Sequence, residues 1–272
     1  MKINAVTLQQ QDEVWTCTFL GTGDSLGVPR VYCDCIVCEE ARDAGMNRRL
    51  RSSILLHREN KQLLVDCGPD WMLQMELSGI RWIPHILITH AHQDHVGGLP
   101  AYADACRWLK QKGKVIAPQE VIDLIIRMYP WVPNHITFVP IVHHWEWEGW
   151  SITPIKVNHG KNGYSYAYRF EREGEEGNYR FAYASDAIDL GEKERAAFQE
   201  LDVFIIGTSY YQEHFPYATR SIYDMVEAVE LLKELKPKRA IFTHMSHGVD
   251  IRESYPLPPE AELAYLGLSL SV

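Results

Sequence analysis

Thr89-His90-Ala91-His92-Gln93-Asp94-His95 directly follows the apolar run Ile86-Leu87-Ile88. It reads H-x-H-x-D-H, four potential ligands in six residues, placed where a buried strand opens into a loop. A strand end is rigid and can present preorganised donors. Imidazole and carboxylate suit borderline divalent ions such as zinc, and also manganese or iron. A polar turn with surface histidines gives no reason for this spacing. Three other apolar segments end in the same kind of residue. Asn158-His159 follows Ile152 to Val157, Ser185-Asp186 follows Phe181 to Ala184, and Thr243-His244 follows Ala240 to Phe242. Each alone reads as a cap or a satisfied buried group; together, beside H-x-H-x-D-H, they read as ligands.

Working outward, Val14 to Leu20 reads as the first strand. Ser52 to Leu56 and Lys61 to Val65 read as a hairpin. Asp70 to Leu77 reads as a helix with Gly79 as its stop, and Pro100 to Lys112 as a helix ended by Gly113. Ile86 to Thr89 and Lys114 to Ala117 read as buried strands, with a helix over Gln119 to Met128. Further strands fall at Ile136 to Val142, Trp150 to Val157, Tyr164 to Phe170, Tyr179 to Ala184, Asp202 to Ile206 and Lys238 to Thr243. Ser221 to Leu235 reads as an amphipathic helix with Ile222, Met225, Val226, Val229 and Leu232 on its apolar face. Strands in runs, with helices between, predict an α/β (α+β) chain of two sheets covered by helices, not a doubly wound parallel sheet. No repeat or Gly/Ser/Pro-rich linker divides the sequence, so residues 1–272 read as one domain.

Six cysteines are present, three of them as Cys33-Asp34-Cys35-Ile36-Val37-Cys38 within a loop at about 30–50. Three thiolates leave zinc one ligand short of a closed tetrahedron. His247, three residues beyond His244, is the expected fourth. Arg48, Arg49 and Arg51 read as a solvated basic face, with a phosphate pocket as the other reading. Trp145, Trp147 and Trp150 read as a core-covering hairpin.

The 27 basic and 36 acidic side chains give a formal charge of −9. That field has the wrong sign for a general attraction to nucleic acid or an anionic membrane. No apolar run approaches the roughly 20 residues of a membrane-crossing helix. The segments Met1 to Asn4 and Gln9 to Glu13 lack the apolar core of a secretory signal. A cytoplasmic chain without membrane or large nucleic-acid partners is the expectation, with a homodimer as a further one.

From Phe19-Leu20-Gly21-Thr22-Gly23 to Thr243-His244-Met245-Ser246-His247 the sequence resembles the metallo-β-lactamase superfamily. The resemblance implies a four-layer αββα sandwich carrying two metal ions. His90, His92 and His159 would hold one ion, Asp94, His95 and His244 the other, and Asp186 would bridge them. Gly21-Thr22-Gly23, Gly27-Val28-Pro29 and the cysteine cluster are more narrowly similar to the PhnP family of phosphodiesterases. That likeness implies a structural zinc on Cys33, Cys35, Cys38 and His247. It also implies hydrolysis of small cyclic phosphodiesters, of the ribosyl 1,2-cyclic phosphate or 2′,3′-cyclic nucleotide type, by a water activated between the ions. Members carry a phosphate-contacting His in a Ser-His pair where this chain has Ser209-Tyr210. Tyr210 is the expected substitute, with His214 as a second substrate-contact candidate, and Asp94 the expected proton acceptor. Rival readings are an RNA 3′-processing endonuclease, a thioesterase or lactamase of the same fold, and a non-catalytic metal-binding protein of cofactor biosynthesis.

Overall fold

The structure is a computed structural model that describes residue 6 and residues 14–174 and 177–272. The segments Met1 to Asn4 and Gln9 to Glu13, on which the absence of a secretory signal was read, lie outside the described residues. The chain forms two compact units, each assembled from separated stretches. Of the described residues, the first takes in those within 1–25, 49–142 and 265–272, and the second those within 26–48 and 143–264.

The first unit is built on a mixed sheet of seven strands. Its first six are β1 (Thr16–Gly21), β2 (Ser53–Arg58), β3 (Lys61–Val65), β4 (His85–Leu87), β5 (Gly113–Ala117) and β6 (Ile136–Pro140). β1, β2 and β3 run antiparallel as a meander, and β3 to β6 run parallel. Parallel neighbours need crossovers, and the helices Trp71–Ser78, Leu99–Leu109 and Gln119–Met128 supply them. Ile86, Leu87 and Ile88 are wholly buried, as a central parallel strand requires. The helix from Leu99 ends at Lys110, which takes the left-handed conformation (φ 54°). Gly113, expected to stop that helix, instead opens β5. Gly79 does cap the helix before β4.

The second unit carries the other seven-stranded sheet. Its strands are β7 (Trp145–Trp147), β8 (Trp150–Asn158), β9 (Tyr164–Gly174), β10 (Gly177–Ala184), β11 (Val203–Gly207), β12 (Arg239–Thr243) and β13 (Ala261–Leu263). β7 to β10 are antiparallel and β10 to β13 parallel. Two reversals give β8 the direction of β10, so the carboxyl ends of β8, β10, β11 and β12 share one edge of this sheet. Its core gathers Phe198, Phe204 and Phe242 with Met225 and Leu232. The last strand, β14 (Ser269–Ser271), returns to the first sheet and pairs with β1, Thr16 opposite Ser271.

The two mixed sheets with helices agree with the expected fold class. Three further local expectations change. The helix expected from Ser221 starts at Met225, because Asp224 and Glu227 close a capping box around its first turn. Its buried face is Met225, Ala228, Leu231, Leu232 and Leu235; Val226 points outward and Ile222 is buried outside the helix. The cysteine segment contains a helix, Ile36–Asp43, where a loop was expected. The arginines are not a solvated face: Arg49 is buried, Arg51 pairs with Asp70 at 3.1 Å, and Arg48 donates to the Ala41 carbonyl. Trp147 and Trp150 are buried across the β7–β8 turn, as expected.

Candidate functional site

In the first unit, Asp66 follows β3 and Thr89 to His95 follow β4. Asp66 is fully buried and left-handed at φ 65°. It accepts from the Thr89 backbone N–H at 2.9 Å and from the Thr89 hydroxyl at 2.9 Å. Its second oxygen lies 2.7 Å from His95 Nδ1. A carboxylate accepts, so His95 carries its proton on Nδ1 and presents the Nε2 lone pair. With the Thr89 hydroxyl proton committed to Asp66, its oxygen accepts from His90 Nδ1 at 3.0 Å, which leaves the Nε2 lone pair of His90 outward as well. One buried carboxylate thus fixes two imidazoles, an arrangement common behind metal-ligating histidines. Burial pushes the Asp66 carboxyl up, while His95 and Thr89 pull it back down.

The donor atoms stand at ligand-to-ligand separations. His90 Nε2 is 2.8 Å from His92 Nδ1, and Asp94 Oδ2 is 3.1 Å from His95 Nε2. Bonds of 2.0–2.1 Å place two ligands roughly 2.9 Å apart at a right angle and roughly 3.4 Å apart in a tetrahedron. The short helix Gln93–Val96 turns Asp94 and His95 inward, and both are buried.

In the second unit, His159, Asp186 and His244 follow β8, β10 and β12, and all three are buried. Asp186 Oδ1 lies 3.3 Å from His244 Nε2 and 3.7 Å from His159 Nε2. One carboxylate oxygen between two imidazoles fits a bridging ligand. His159 Nδ1 donates to the Ser221 carbonyl at 2.8 Å, so its Nε2 also keeps a lone pair. His244 sits at φ 57°, a conformation that costs a non-glycine residue of order 1 kcal/mol or more and clusters at functional sites.

The same unit brings Cys33, Cys35, Cys38 and His247 together. His247 Nδ1 is 3.2 Å from Cys33 Sγ and 3.5 Å from both Cys35 Sγ and Cys38 Sγ. Zinc bonds of about 2.3 Å to sulfur and 2.0–2.1 Å to nitrogen give tetrahedral S···N edges of roughly 3.6 Å, so the four donors fit a closed zinc site. Cys38 lies inside the Ile36–Asp43 helix, packed with Val28, Val37 and Ala41. The flanks are tied down: Asn47 donates to Asp250 at 2.9 Å and accepts from the Ile251 backbone at 2.9 Å.

Among the expected substrate contacts, Tyr210 follows β11 and is half-buried, its ring lying against Gly248 beside His247. Phe215 stands 6.1 Å from that ring, centroid to centroid. His214 is exposed on the same loop. Asp66 escaped the sequence reading. Its signal was present, a carboxylate immediately after the apolar end of β3, the placement that singled out Asp186.

A sequence profile of the beta-lactamase superfamily domain matches residues 61–245. The chain belongs to that superfamily. Within it the chain is PhnP-like. It is similar to a diphosphatase of the PhnP family whose crystal structure shares 27% identity, covering 95% of this chain and 98% of that one with a TM-score of 0.82. Among curated relatives, an octanoyltransferase of Porphyromonas gingivalis is 29% identical over 271 residues, 93% of this chain and 50% of that one. A ribonuclease Z of Clostridium beijerinckii is 29% identical over 104 residues, 35% of this chain and 33% of that one. This chain therefore spans about half the length of the first relative, and the matched segment a third of the second. Among the described residues no helix is long and apolar enough to cross a membrane.

Proposed function

We propose that the chain is a metal-dependent phosphodiesterase acting on small cyclic phosphodiesters. The observation that carries this reading is the orientation of the imidazoles. His90, His95 and His159 each have Nδ1 engaged by an oxygen, which makes Nε2 the lone-pair nitrogen that would bind an ion. The ligand assignment is the one the family resemblance implies. His90, His92 and His159 would hold one divalent ion, Asp94, His95 and His244 a second, and Asp186 would serve both, with zinc, manganese or iron as candidates. Cys33, Cys35, Cys38 and His247 would hold a separate structural zinc. The likeness to a PhnP-family diphosphatase over nearly the full length supports phosphoryl chemistry over acyl transfer. The octanoyltransferase name speaks for a protein of which half lies outside the match.

Two divalent ions bound at such a centre would supply an activated water and would neutralise charge on the phosphoryl oxygens. The chain's own side chains do the rest. Asp94 accepts the attacking water's proton on its carboxylate, and Tyr210 offers its hydroxyl to the departing oxygen. Asp186 sets the spacing. An RNA substrate would need a basic gripping surface, which a net charge of −9 does not favour. Assaying bis(p-nitrophenyl) phosphate beside a thioester and a lactam tests the proposal. Turnover of the phosphodiester alone, lost with Asp186→Ala, is the expected result. Turnover of only the thioester or lactam, or wild-type metal content and rate in Asp186→Ala, refutes it.

A further inference from the structure

Arg220 is a buried cation just before the residue that holds His159. Its guanidinium meets Glu213 at 3.3 Å and Asp224 at 3.5 Å, and forks onto Glu227 at 2.7 and 2.5 Å. Planar two-point pairing of this kind fixes orientation as well as distance. Asp224 and Glu227 belong to the capped first turn of the Met225–Leu235 helix, so the arginine is fastened to a rigid element.

The backbone beside that side chain faces His159 on two counts. The Arg220 carbonyl accepts from Lys161 N at 3.2 Å, and the Ser221 carbonyl accepts from His159 Nδ1 at 2.8 Å. Gly160, between His159 and Lys161, is left-handed at φ 54° and packs so tightly that a Cβ there would lie 2.2 Å from the Arg220 carbonyl oxygen. The 159–161 turn is therefore packed directly on the 220–221 backbone, and the His159 contact depends on where that backbone sits.

We infer that Arg220 is a positioning residue for His159: its ion-pair network holds the Ser221 carbonyl in place, and that carbonyl keeps the imidazole in the Nδ1–H tautomer, so that Nε2 is the lone-pair nitrogen that would meet an ion. The inference rests on reading His159 as a metal ligand. The physical step is short. A displacement of about 1 Å would stretch the His159 contact beyond hydrogen-bonding range and release the tautomer. Loss of such a partner behind a ligating histidine lowers metal affinity on the order of 10- to 100-fold.

The test uses the full chain with Arg220→Gln and two readouts. Nitrogen-15 NMR of the histidine rings in metal-free protein reports the His159 tautomer. Chelator competition with zinc reports the affinity of each ion. In the wild type His159 is expected as a single Nδ1–H tautomer. In Arg220→Gln the tautomers mix, one histidine-held ion binds 10- to 100-fold more weakly, and the cysteine-held zinc is unchanged. Arg220→Lys, which keeps the charge without the fork, is expected to recover part of the loss. Should Arg220→Gln fail to fold, Gly160→Ala keeps every ion pair yet displaces the same backbone, and must give the same mixture. A folded Arg220→Gln, or in its place a folded Gly160→Ala, with an unmixed His159 overturns the inference. Mixed tautomers in a chain whose wild type binds no ion at the histidines would uphold the positioning and defeat the functional reading instead.

Discussion

Replacing Asp66 with Asn tests whether one buried carboxylate organises the histidines of the first unit. The side chain keeps its size and loses its charge. As an acceptor-only group, Asp66 meets His95 Nδ1 on one oxygen and the Thr89 N–H on the other, at 2.7 and 2.9 Å. An Asn amide has a single oxygen. If that oxygen stays with Thr89, the amide NH2 faces a second donor at His95. If it flips, the NH2 faces the Thr89 N–H. Either way a buried donor loses its partner, at a cost of about 1–3 kcal/mol. His95 can escape by moving its proton to Nε2, but that occupies the lone pair meant for the ion. Metal affinity should therefore fall on the order of 10- to 100-fold, about 1.4–2.8 kcal/mol. Chelator competition measures this loss of affinity, and thermal unfolding of the metal-free protein the cost of the unpaired donor. Asp66→Asn protein with wild-type metal affinity and an unmoved midpoint would refute the reasoning, since no placement of one oxygen satisfies both donors.

The remaining expectations concern the second unit. His247→Ala should bind one zinc fewer per chain by elemental analysis. It should also unfold several degrees lower, because saturation at about a thousand times Kd stabilises by about 4 kcal/mol. Gly207→Ala places a Cβ 1.7 Å from the Ser185 carbonyl, next to Asp186, and 3.3 Å from His244 Cβ. The overpacking should cost about 1–3 kcal/mol and lower occupancy at the histidine site, read by denaturant melts and metal content. Arg252 and the Asn47 amide hold the Asp250 carboxyl well below the usual carboxylate range, against the effect of burial. A depressed folded pKa means that the stabilisation is whole above the unfolded value of about 3.9 and is lost as pH falls below it. Asp250→Asn should therefore lower the melting midpoint at pH 6 and lower it by clearly less near pH 2, where part of the stabilisation is already lost. A midpoint difference that grows on acidification would contradict this.

Much of the candidate site was legible because its chemistry stands at the ends of apolar strands. His90, His159, Asp186 and His244 each interrupt a buried run with a ligand type, and a polar group is costly to bury there unless an ion or a hydrogen bond satisfies it. Asp66 breaks its run in the same way. It was hidden by the following Gly68-Pro69-Asp70, which reads as a turn opening a helix. The start of the Met225–Leu235 helix was misjudged because Ile222 continues the apolar spacing outside it; the reciprocal bonds of Asp224 and Glu227 decide the boundary. The Ile36–Asp43 helix has eight residues, and its cysteines drew the reading toward metal and away from helical spacing. β14 is three residues long and pairs Ser271 with Thr16, a distance in sequence that local patterns do not encode.

The shared edge of the second sheet has an evolutionary consequence. The candidate ligands after β8, β10 and β12 stand directly beyond strands whose hydrogen bonding forbids drift. The long excursion from β11 through Tyr210 and His214 to Asp224 starts from the same edge without contributing a ligand. Sequence change in that excursion can remodel the surface there while the candidate ligand set is inherited intact. Divergence among relatives should therefore concentrate there, and exchanging that one excursion between relatives is the most economical route to a new specificity.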